Sequence, residues 1–127
     1  TEVGARSYMA KQEPPVVSNT CVVYAKSEAT GLLRKGWTTE EVLAAYCRAM
    51  AERIYSLVER LGVIPEFAVT GGMAKNSGVI GRLMPLLGLE PAETKWDTQI
   101  AGAVGAALFG DTLCRKGRGR GKRPQRA

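Results

Sequence analysis

The stretch from Val69 to Gly78 constrains the fold most, because it places a glycine pair, Gly71-Gly72, between two apolar segments. The short run before it (67–69) is typical of a strand, and the amphipathic segment after it (79–87) is typical of a helix. This arrangement leaves backbone N–H groups unpaired at the helix N-terminus. Those donors and the helix dipole favour a phosphate or another electron-rich group, and glycine lets a ligand lie against bare backbone. Alternatively, the two glycines only make the bend.

The length of 127 residues predicts one domain or part of one. No apolar run approaches the roughly 20 residues that a membrane span needs. The sequence begins at Thr1, without an initiator Met or the apolar stretch of a signal peptide. We therefore expect a fragment whose earlier half is missing.

The formal net charge of +6 comes from the C-terminal tail. Residues 115–127 hold seven basic residues and no acidic one, whereas the rest of the chain holds 11 basic and 12 acidic residues. We predict a folded domain at 1–114 and a disordered basic tail at 115–127, because the tail has nothing to bury. It lacks the aromatic residues that stack on bases, so we expect a solvated terminus and no specific nucleic-acid binding.

The three cysteines are Cys21, Cys47 and Cys114, and the chain contains no histidine. An odd number without CxxC spacing argues against a disulfide framework and a self-contained zinc site. A reducing, cytoplasmic setting fits this pattern best. Cys47 lies beside the apolar stripe of a predicted long helix, so we expect it to pack in the core.

Cys21 lies near the start of a predicted helix that a residue of 18–20 would cap and that runs to about Lys35. In the first turn the helix dipole lowers a thiol pKa and favours thiolate, the form that binds iron or zinc. The alternative for Cys21 is a small buried residue. Glu28 lies seven residues on, on the same helical face, and its alternative is a solvated surface acid.

Residues Thr38 to Glu41 form a capping box that starts a long helix, and Gly62 ends it. Its apolar stripe predicts the buried face, with Met50 as a core filler. The stripe consists of Val42, Leu43, Tyr46, Met50, Ile54, Leu57, Val58 and Leu61.

The remaining elements are a strand from Pro65, a helix that ends by Leu87 and a last helix that Asp97 or Thr98 caps. The last helix has a face of small residues, which predicts close packing against a sheet or a neighbouring helix. Trp96 is expected either to line a ligand pocket or to be an ordinary core or surface aromatic residue.

Three stretches, Ser18–Glu28, Thr70–Asn76 and Asp97–Ala107, together resemble the C-terminal half of one ATPase family. That family includes the ATP-binding subunits of benzoyl-CoA reductases and the activators of 2-hydroxyacyl-CoA dehydratases. The resemblance covers roughly residues 2–113. Tyr24-Ala25-Lys26 and the residues around the glycine pair look closest to a benzoyl-CoA reductase subunit.

The resemblance implies an α/β fold, the C-terminal part of a ribonuclease-H-like ATPase (acetate and sugar kinase/Hsp70/actin) that is helix-rich with a small sheet. It implies ATP with Mg²⁺ between two lobes and a [4Fe-4S] cluster at a subunit interface, two cysteines coming from each subunit. Cys21 matches the second of these cysteines, while Cys47 and Cys114 match no ligand. The residues that match the adenosine-binding segment are Gly71, Gly72, Ala74 and Asn76, and Glu28 is expected as a neighbour of that pocket.

The implied function is that of an electron-transfer subunit of a benzoyl-CoA reductase, which couples ATP hydrolysis to delivery of a low-potential electron. The implied partners are a homologous ATP-binding subunit, acyl-CoA-reducing subunits and a ferredoxin donor. The phosphate-gripping loops and the first cluster cysteine belong to the family's N-terminal half, so we expect these residues alone to be inactive. The alternatives are an activator of a 2-hydroxyacyl-CoA dehydratase and, from another class, a cluster-free kinase-like nucleotide-binding domain.

Overall fold

The computed structural model describes residues 1–18 and 21–119, which form five α-helices and three short 3-10 turns. No strand occurs within these described ranges, so the helix-rich character is observed and the small sheet is not. The helices are α1 (Glu2–Arg6), α2 (Val22–Arg34), α3 (Thr39–Val58), α4 (Ser77–Leu87) and α5 (Ala101–Gly119). The 3-10 turns are Glu59–Leu61, Gly72–Lys75 and Thr98–Ile100.

The central helix α3 begins where the capping box predicts. Thr38 Oγ1 accepts from the backbone N–H of Glu41 at 3.3 Å, and a Glu41 carboxylate oxygen accepts from Thr38 N–H at 2.9 Å. The two bonds satisfy orphan donors of the first turn. After the short turn at Glu59–Leu61, Gly62 stops the helical backbone with a φ of 74°. Both predicted ends of this element are confirmed.

The core lies between α3 and α4, with α1 packed against both helices. Its buried cluster consists of Cys47, Ala51, Val79, Leu83 and Met84. Of the predicted stripe of larger residues, Val42 is buried, and the other buried apolar positions of α3 are Ala44, Ala45, Cys47, Ala49 and Ala51. Small side chains let neighbouring backbones approach closely, so the larger residues lie at the flanks. Met50 is 39% exposed, and its prediction as a core filler is wrong.

The segment predicted as a strand from Pro65 forms no strand within the described residues, and Glu66 has a φ of 72° there. Phe67 O accepts from Ala92 N–H at 2.8 Å, and Gly71 N–H donates to Thr98 O at 2.8 Å. These two bonds hold residues 67–71 beside residues 92–98. They therefore fix the glycine turn relative to the start of α5.

Helix α5 extends through Gly119, five residues past the predicted domain boundary at 114. Residues 120–127 lie outside the described residues, so the tail from that point stays a prediction. Gly102 and Gly105 lie on the predicted small face, and a Cβ added at either would meet no atom of the described chain within 4 Å. Close packing is therefore not observed there. Among residues 1–18 and 21–119, no helix has the length and hydropathy that a bilayer span requires.

Candidate functional site

The glycine turn has a backbone conformation that requires glycine at its first position. Gly71 has a φ of 88° and a ψ of 179°, a region that is essentially restricted to glycine. The Gly72–Lys75 turn follows, and Asn76 then caps α4 by accepting from Gly78 N–H at 3.1 Å. Helix α4 therefore begins at Ser77, one 3-10 turn later than a direct strand–glycine–helix connection predicts.

The surface in front of the two glycines is open. Among the described residues, a Cβ at Gly71 would meet no atom within 4 Å, and one at Gly72 would meet only Gln99 Nε2, at 3.9 Å. Several backbone donors of the turn are already used, since Gly71 N–H bonds Thr98 O, Ala74 N–H bonds Gly71 O and Asn76 N–H bonds Met73 O. These three N–H groups are therefore not available to a ligand. A ligand can instead lie in the open space against the backbone of the two glycines.

An ion pair joins the glycine turn to the start of the last helical segment. Lys75 Nζ lies 2.6 Å from Asp97 Oδ2, and Asp97 Oδ1 accepts from Gln99 N–H at 2.8 Å. The hydrogen bond from Lys75 and then that from Gln99 N–H lower the pKa of the Asp97 carboxyl. Asp97 therefore caps the 3-10 turn at Thr98–Ile100 that precedes α5, rather than α5 itself, and its ion pair connects this turn to the turn at Gly72–Lys75.

An apolar cavity of about 310 Å³ lies beside this junction. Thr70 and Trp96 line one side, and Val104 and Leu108 of α5 line the other. Trp96 is 51% exposed, so it is a half-exposed aromatic residue at a cavity and not a core residue. The pocket-lining alternative for Trp96 fits this position.

Cys21 is itself the N-cap of α2, with a φ of −140° and a ψ of 125°. The prediction that it lies inside the first turn, behind a cap at 18–20, is therefore wrong in register. Ser18 uses its backbone N–H to bond Glu28, and residues 19 and 20 lie outside the described residues. The Cys21 thiol makes no capping hydrogen bond. The backbone N–H groups of Tyr24 and then Val23 lie near enough to lower the pKa of the thiol.

The other two cysteines have different surroundings. Cys47 is 4% exposed and packs in the α3–α4 core, which confirms its prediction as a packing residue, and Cys114 is exposed on α5. Within the described residues no group of three or more Cys, His, Asp or Glu side chains converges as a metal site. Cys21 is partly exposed and its lowered pKa favours the thiolate form, and its assignment as a cluster ligand stays a prediction.

Glu28 is held by groups of its own chain. Its carboxylate accepts from Ser18 N–H at 3.1 and 3.2 Å and from the Tyr46 hydroxyl at 3.1 Å. The same hydroxyl lies 2.7 Å from Ala25 O. Burial and, next, the hydrogen bond with Glu28 raise the pKa of Tyr46 to about 12. The prediction of Glu28 as a neighbour of the nucleotide stays a prediction.

Sequence reasoning missed Tyr46, which it assigned to an apolar stripe. No local signal could have shown its role, because its partners lie 18 and 21 residues earlier and meet it only where α2 crosses α3. The predicted site residues fall into two groups. Gly71, Gly72, Ala74 and Asn76 share one turn, and Cys21 and Glu28 share α2, with α3 packed against both α2 and α4.

The fold is similar to that of solved activator-type ATPases of the actin/Hsp70-like class. The model of the BadF/BadG/BcrA/BcrD ATPase family matches residues 1–110. The chain belongs to this family. The resemblance drawn from the three motifs is thereby confirmed.

Individual relatives show how far the similarity extends. The chain is 38% identical over 108 residues to the (R)-2-hydroxyglutaryl-CoA dehydratase activating ATPase of Acidaminococcus fermentans, a match that covers 85% of this chain and 40% of that protein. It is 30% identical over 114 residues to a benzoyl-CoA reductase subunit of Thauera aromatica, a match that covers 86% of this chain and 40% of that protein.

A solved structure gives the corresponding comparison of the folds. It is the activator of the 2-hydroxyisocaproyl-CoA dehydratase from Clostridium difficile with bound ADPNP, which is 30% identical to this chain and superposes with a TM-score of 0.77. The match covers 98% of this chain and 46% of that one. The chain spans about 40% of the length of the curated relatives that it matches.

Proposed function

We propose that this chain is part of an ATP-hydrolysing activator of a 2-hydroxyacyl-CoA dehydratase. The observation that carries the proposal is the 38% identity to one such activator, against 30% to a benzoyl-CoA reductase subunit. The sequence motifs favoured the reductase, and the comparisons favour the alternative. The dehydratase activator is therefore the first candidate, and the benzoyl-CoA reductase subunit is the second.

The residues of the glycine turn bind the adenosine end of the nucleotide in this proposal. Gly71 and Gly72 leave open space before bare backbone, so a ribose or a base can lie against them without a clash. Asn76 and Ala74 hold the shape of the turn, Asn76 through its cap on α4 and Ala74 through its bond to Gly71 O. A relative with bound ADPNP supports nucleotide binding by this fold. In this proposal, residues outside this chain bind the phosphates and Mg²⁺.

Cys21 supplies one thiolate to a [4Fe-4S] cluster at the interface with a homologous ATP-binding subunit. The N–H groups of Val23 and Tyr24 and the positive end of the α2 dipole stabilise the thiolate form that ligation requires. The cluster, when bound, supplies one-electron transfer at low potential. Val23 and Tyr24 are 79% and 72% exposed, so the surface around Cys21 is accessible to a second subunit.

The second candidate is the ATP-binding subunit of a benzoyl-CoA reductase, which would deliver electrons to acyl-CoA-reducing subunits. The 30% identity to the Thauera aromatica reductase subunit supports it. Both candidates share the nucleotide, the cluster and a ferredoxin as electron donor, and they differ in the enzyme that accepts the electron. Reconstitution of the intact protein with a dehydratase or with the ring-reducing subunits separates them.

The decisive experiment compares Cys21→Ala with Cys114→Ala in the intact protein, purified without oxygen together with its partner subunit. We expect Cys21→Ala to lose most iron and acid-labile sulfide while it keeps nucleotide binding, and Cys114→Ala to keep both. Full iron content in Cys21→Ala would overturn the cluster assignment. It would favour a cluster-free, kinase-like nucleotide-binding domain.

A further inference from the structure

Three segments of the chain meet at one carboxylate. Glu28, in the second turn of α2, accepts from the backbone N–H of Ser18 through both of its oxygens, at 3.1 and 3.2 Å. It also accepts from the Tyr46 hydroxyl of α3 at 3.1 Å. Glu28 therefore connects α3 to the backbone that lies three residues before Cys21.

Packing alone does not hold the first turn of α2. Val23 and Tyr24 are 79% and 72% exposed, so their side chains bury little surface against the core. A segment with few buried contacts opens locally at a low free-energy cost unless hydrogen bonds restrain it. The restraints observed here include the bond from Ala25 N–H to Cys21 O at 3.0 Å and the Tyr46 hydroxyl, whose single proton lies between Ala25 O at 2.7 Å and Glu28 at 3.1 Å.

The backbone of Tyr46 lies next to the buried core. Its neighbour Cys47 is buried between α3 and α4, where a Cβ on Gly78 would lie 2.8 Å from the sulfur. The Tyr46 backbone is thus part of the most tightly packed region of the chain. Its hydroxyl links this region to α2, because its one proton is donated to Ala25 O at 2.7 Å or shared with the Glu28 carboxylate at 3.1 Å.

We propose that Tyr46 is a positioning residue for Cys21: through Glu28 and Ala25 it fixes the N-terminal end of α2, so that the Cys21 sulfur has a single orientation toward the subunit interface. The proposal rests on the proposed function, in which Cys21 is a cluster ligand. The inference adds that α3 connects α4, the helix after the glycine turn, to α2, the helix that Cys21 caps.

The first test is hydrogen exchange on the intact, cluster-free protein, with Tyr46→Phe compared with Tyr55→Phe. The two changes are matched, because each removes one α3 tyrosine hydroxyl that donates to a glutamate, Glu28 in one case and Glu59 in the other. We expect Tyr46→Phe to accelerate exchange of the amides of residues 25–29, the first that are bonded within α2, on the order of tenfold, the effect of losing a hydrogen bond at a low-stability segment. Tyr55→Phe should leave those amides unchanged.

The second test uses the cluster-loaded protein and reads its electron paramagnetic resonance spectrum. A cysteine without a single orientation should broaden the reduced-cluster signal and speed iron loss to a chelator in Tyr46→Phe, with Tyr55→Phe like the wild type. A Glu28→Gln variant should move the same readouts in the same direction. The double variant Tyr46→Phe/Glu28→Gln should be no worse than the more affected single variant, since both changes break one connection.

The outcomes separate this inference from the proposed function. If Cys21→Ala loses its iron but Tyr46→Phe leaves both the exchange and the spectrum unchanged, the positioning role is wrong and the cluster assignment holds. If Cys21→Ala keeps its iron, the proposed function fails, whatever the exchange data show. Faster exchange in Tyr55→Phe as well would show a general loosening of α3 and would overturn the specific role of Tyr46.

Discussion

Gly78 and Cys47 pack so closely that a Cβ on Gly78 would lie 2.8 Å from the Cys47 sulfur. The same Cβ would lie 2.6 Å from Ser7 Oγ and 2.9 Å from the Cα of Gly4. Three helices, α1, α3 and α4, therefore meet where Gly78 has no side chain. Cys47 fills this junction as a small apolar residue, which explains its burial without any role in chemistry.

Gly78→Ala should lower the free energy of unfolding by about 1–3 kcal/mol, because the new methyl group overpacks this junction. Gly105→Ala is the matched control, since a Cβ at Gly105 in α5 meets nothing of the described chain within 4 Å. We expect the control to be neutral or more stable by up to about 1 kcal/mol, the difference between glycine and alanine inside a helix. Urea unfolding of the intact protein measures both, and equal effects would contradict this account of the junction.

The sequence predicts the elements whose signals are local. The capping box of Thr38 and Glu41, the helix end at Gly62 and the end of α4 at Leu87 are where the sequence places them. Each depends on a side chain or a φ value within a few residues of the helix end. Such interactions do not change when distant parts of the chain move, so a pattern of four residues is enough to identify them.

The features that the sequence does not predict depend on which helices meet. Most buried residues of α3 are alanines, with Val42 and Cys47, and Met50 is exposed, because α1 and α4 pack on the side of the helix that carries small residues. Hydrophobic periodicity favours large residues and gives little weight to alanine. In the candidate site, local signals are enough to locate the glycine turn, but the contact of Tyr46 with Glu28 depends on how α2 crosses α3.

Gly71→Ala and Gly72→Ala should separate backbone strain from ligand contact. Alanine at 71 must adopt a φ of 88°, which costs about 1–3 kcal/mol of stability. Gly72 has no such positive φ and an open surface, so its alanine variant should keep its stability. If the proposed function is right, Gly72→Ala nevertheless weakens nucleotide binding, since its methyl group fills the space of the ligand. Urea unfolding and a nucleotide titration test this pair, and unchanged nucleotide affinity in Gly72→Ala would contradict the assignment of the turn.

Lys75→Gln should raise the pKa of Asp97 toward its ordinary value. The hydrogen bond from Lys75, at 2.6 Å, is the largest cause that lowers this pKa in the wild type. Because the folded-state pKa lies below the unfolded one, the pair stabilises the fold above the unfolded pKa and loses this effect as the pH falls through the folded value. Carbon-detected NMR titration of the Asp97 carboxyl measures the shift. If the titration midpoint of Asp97 is unchanged in Lys75→Gln, the hydrogen bond from Gln99 N–H, and not that from Lys75, is the main cause of the lowered pKa.

Tyr46→Phe should reduce the loss of stability at alkaline pH. The pKa of Tyr46 is raised from 10.0 to about 12 by burial and by Glu28, so the folded state holds the phenolic proton more tightly than the unfolded state does. The stabilisation is complete below the unfolded pKa near 10 and is lost as the pH rises toward 12. The free energy of unfolding of the intact wild-type protein should therefore fall over this range, and that of Tyr46→Phe should fall less steeply. Urea unfolding at a series of alkaline pH values measures the two slopes. Equal slopes would mean that neither burial nor Glu28 raises the pKa of Tyr46 in solution.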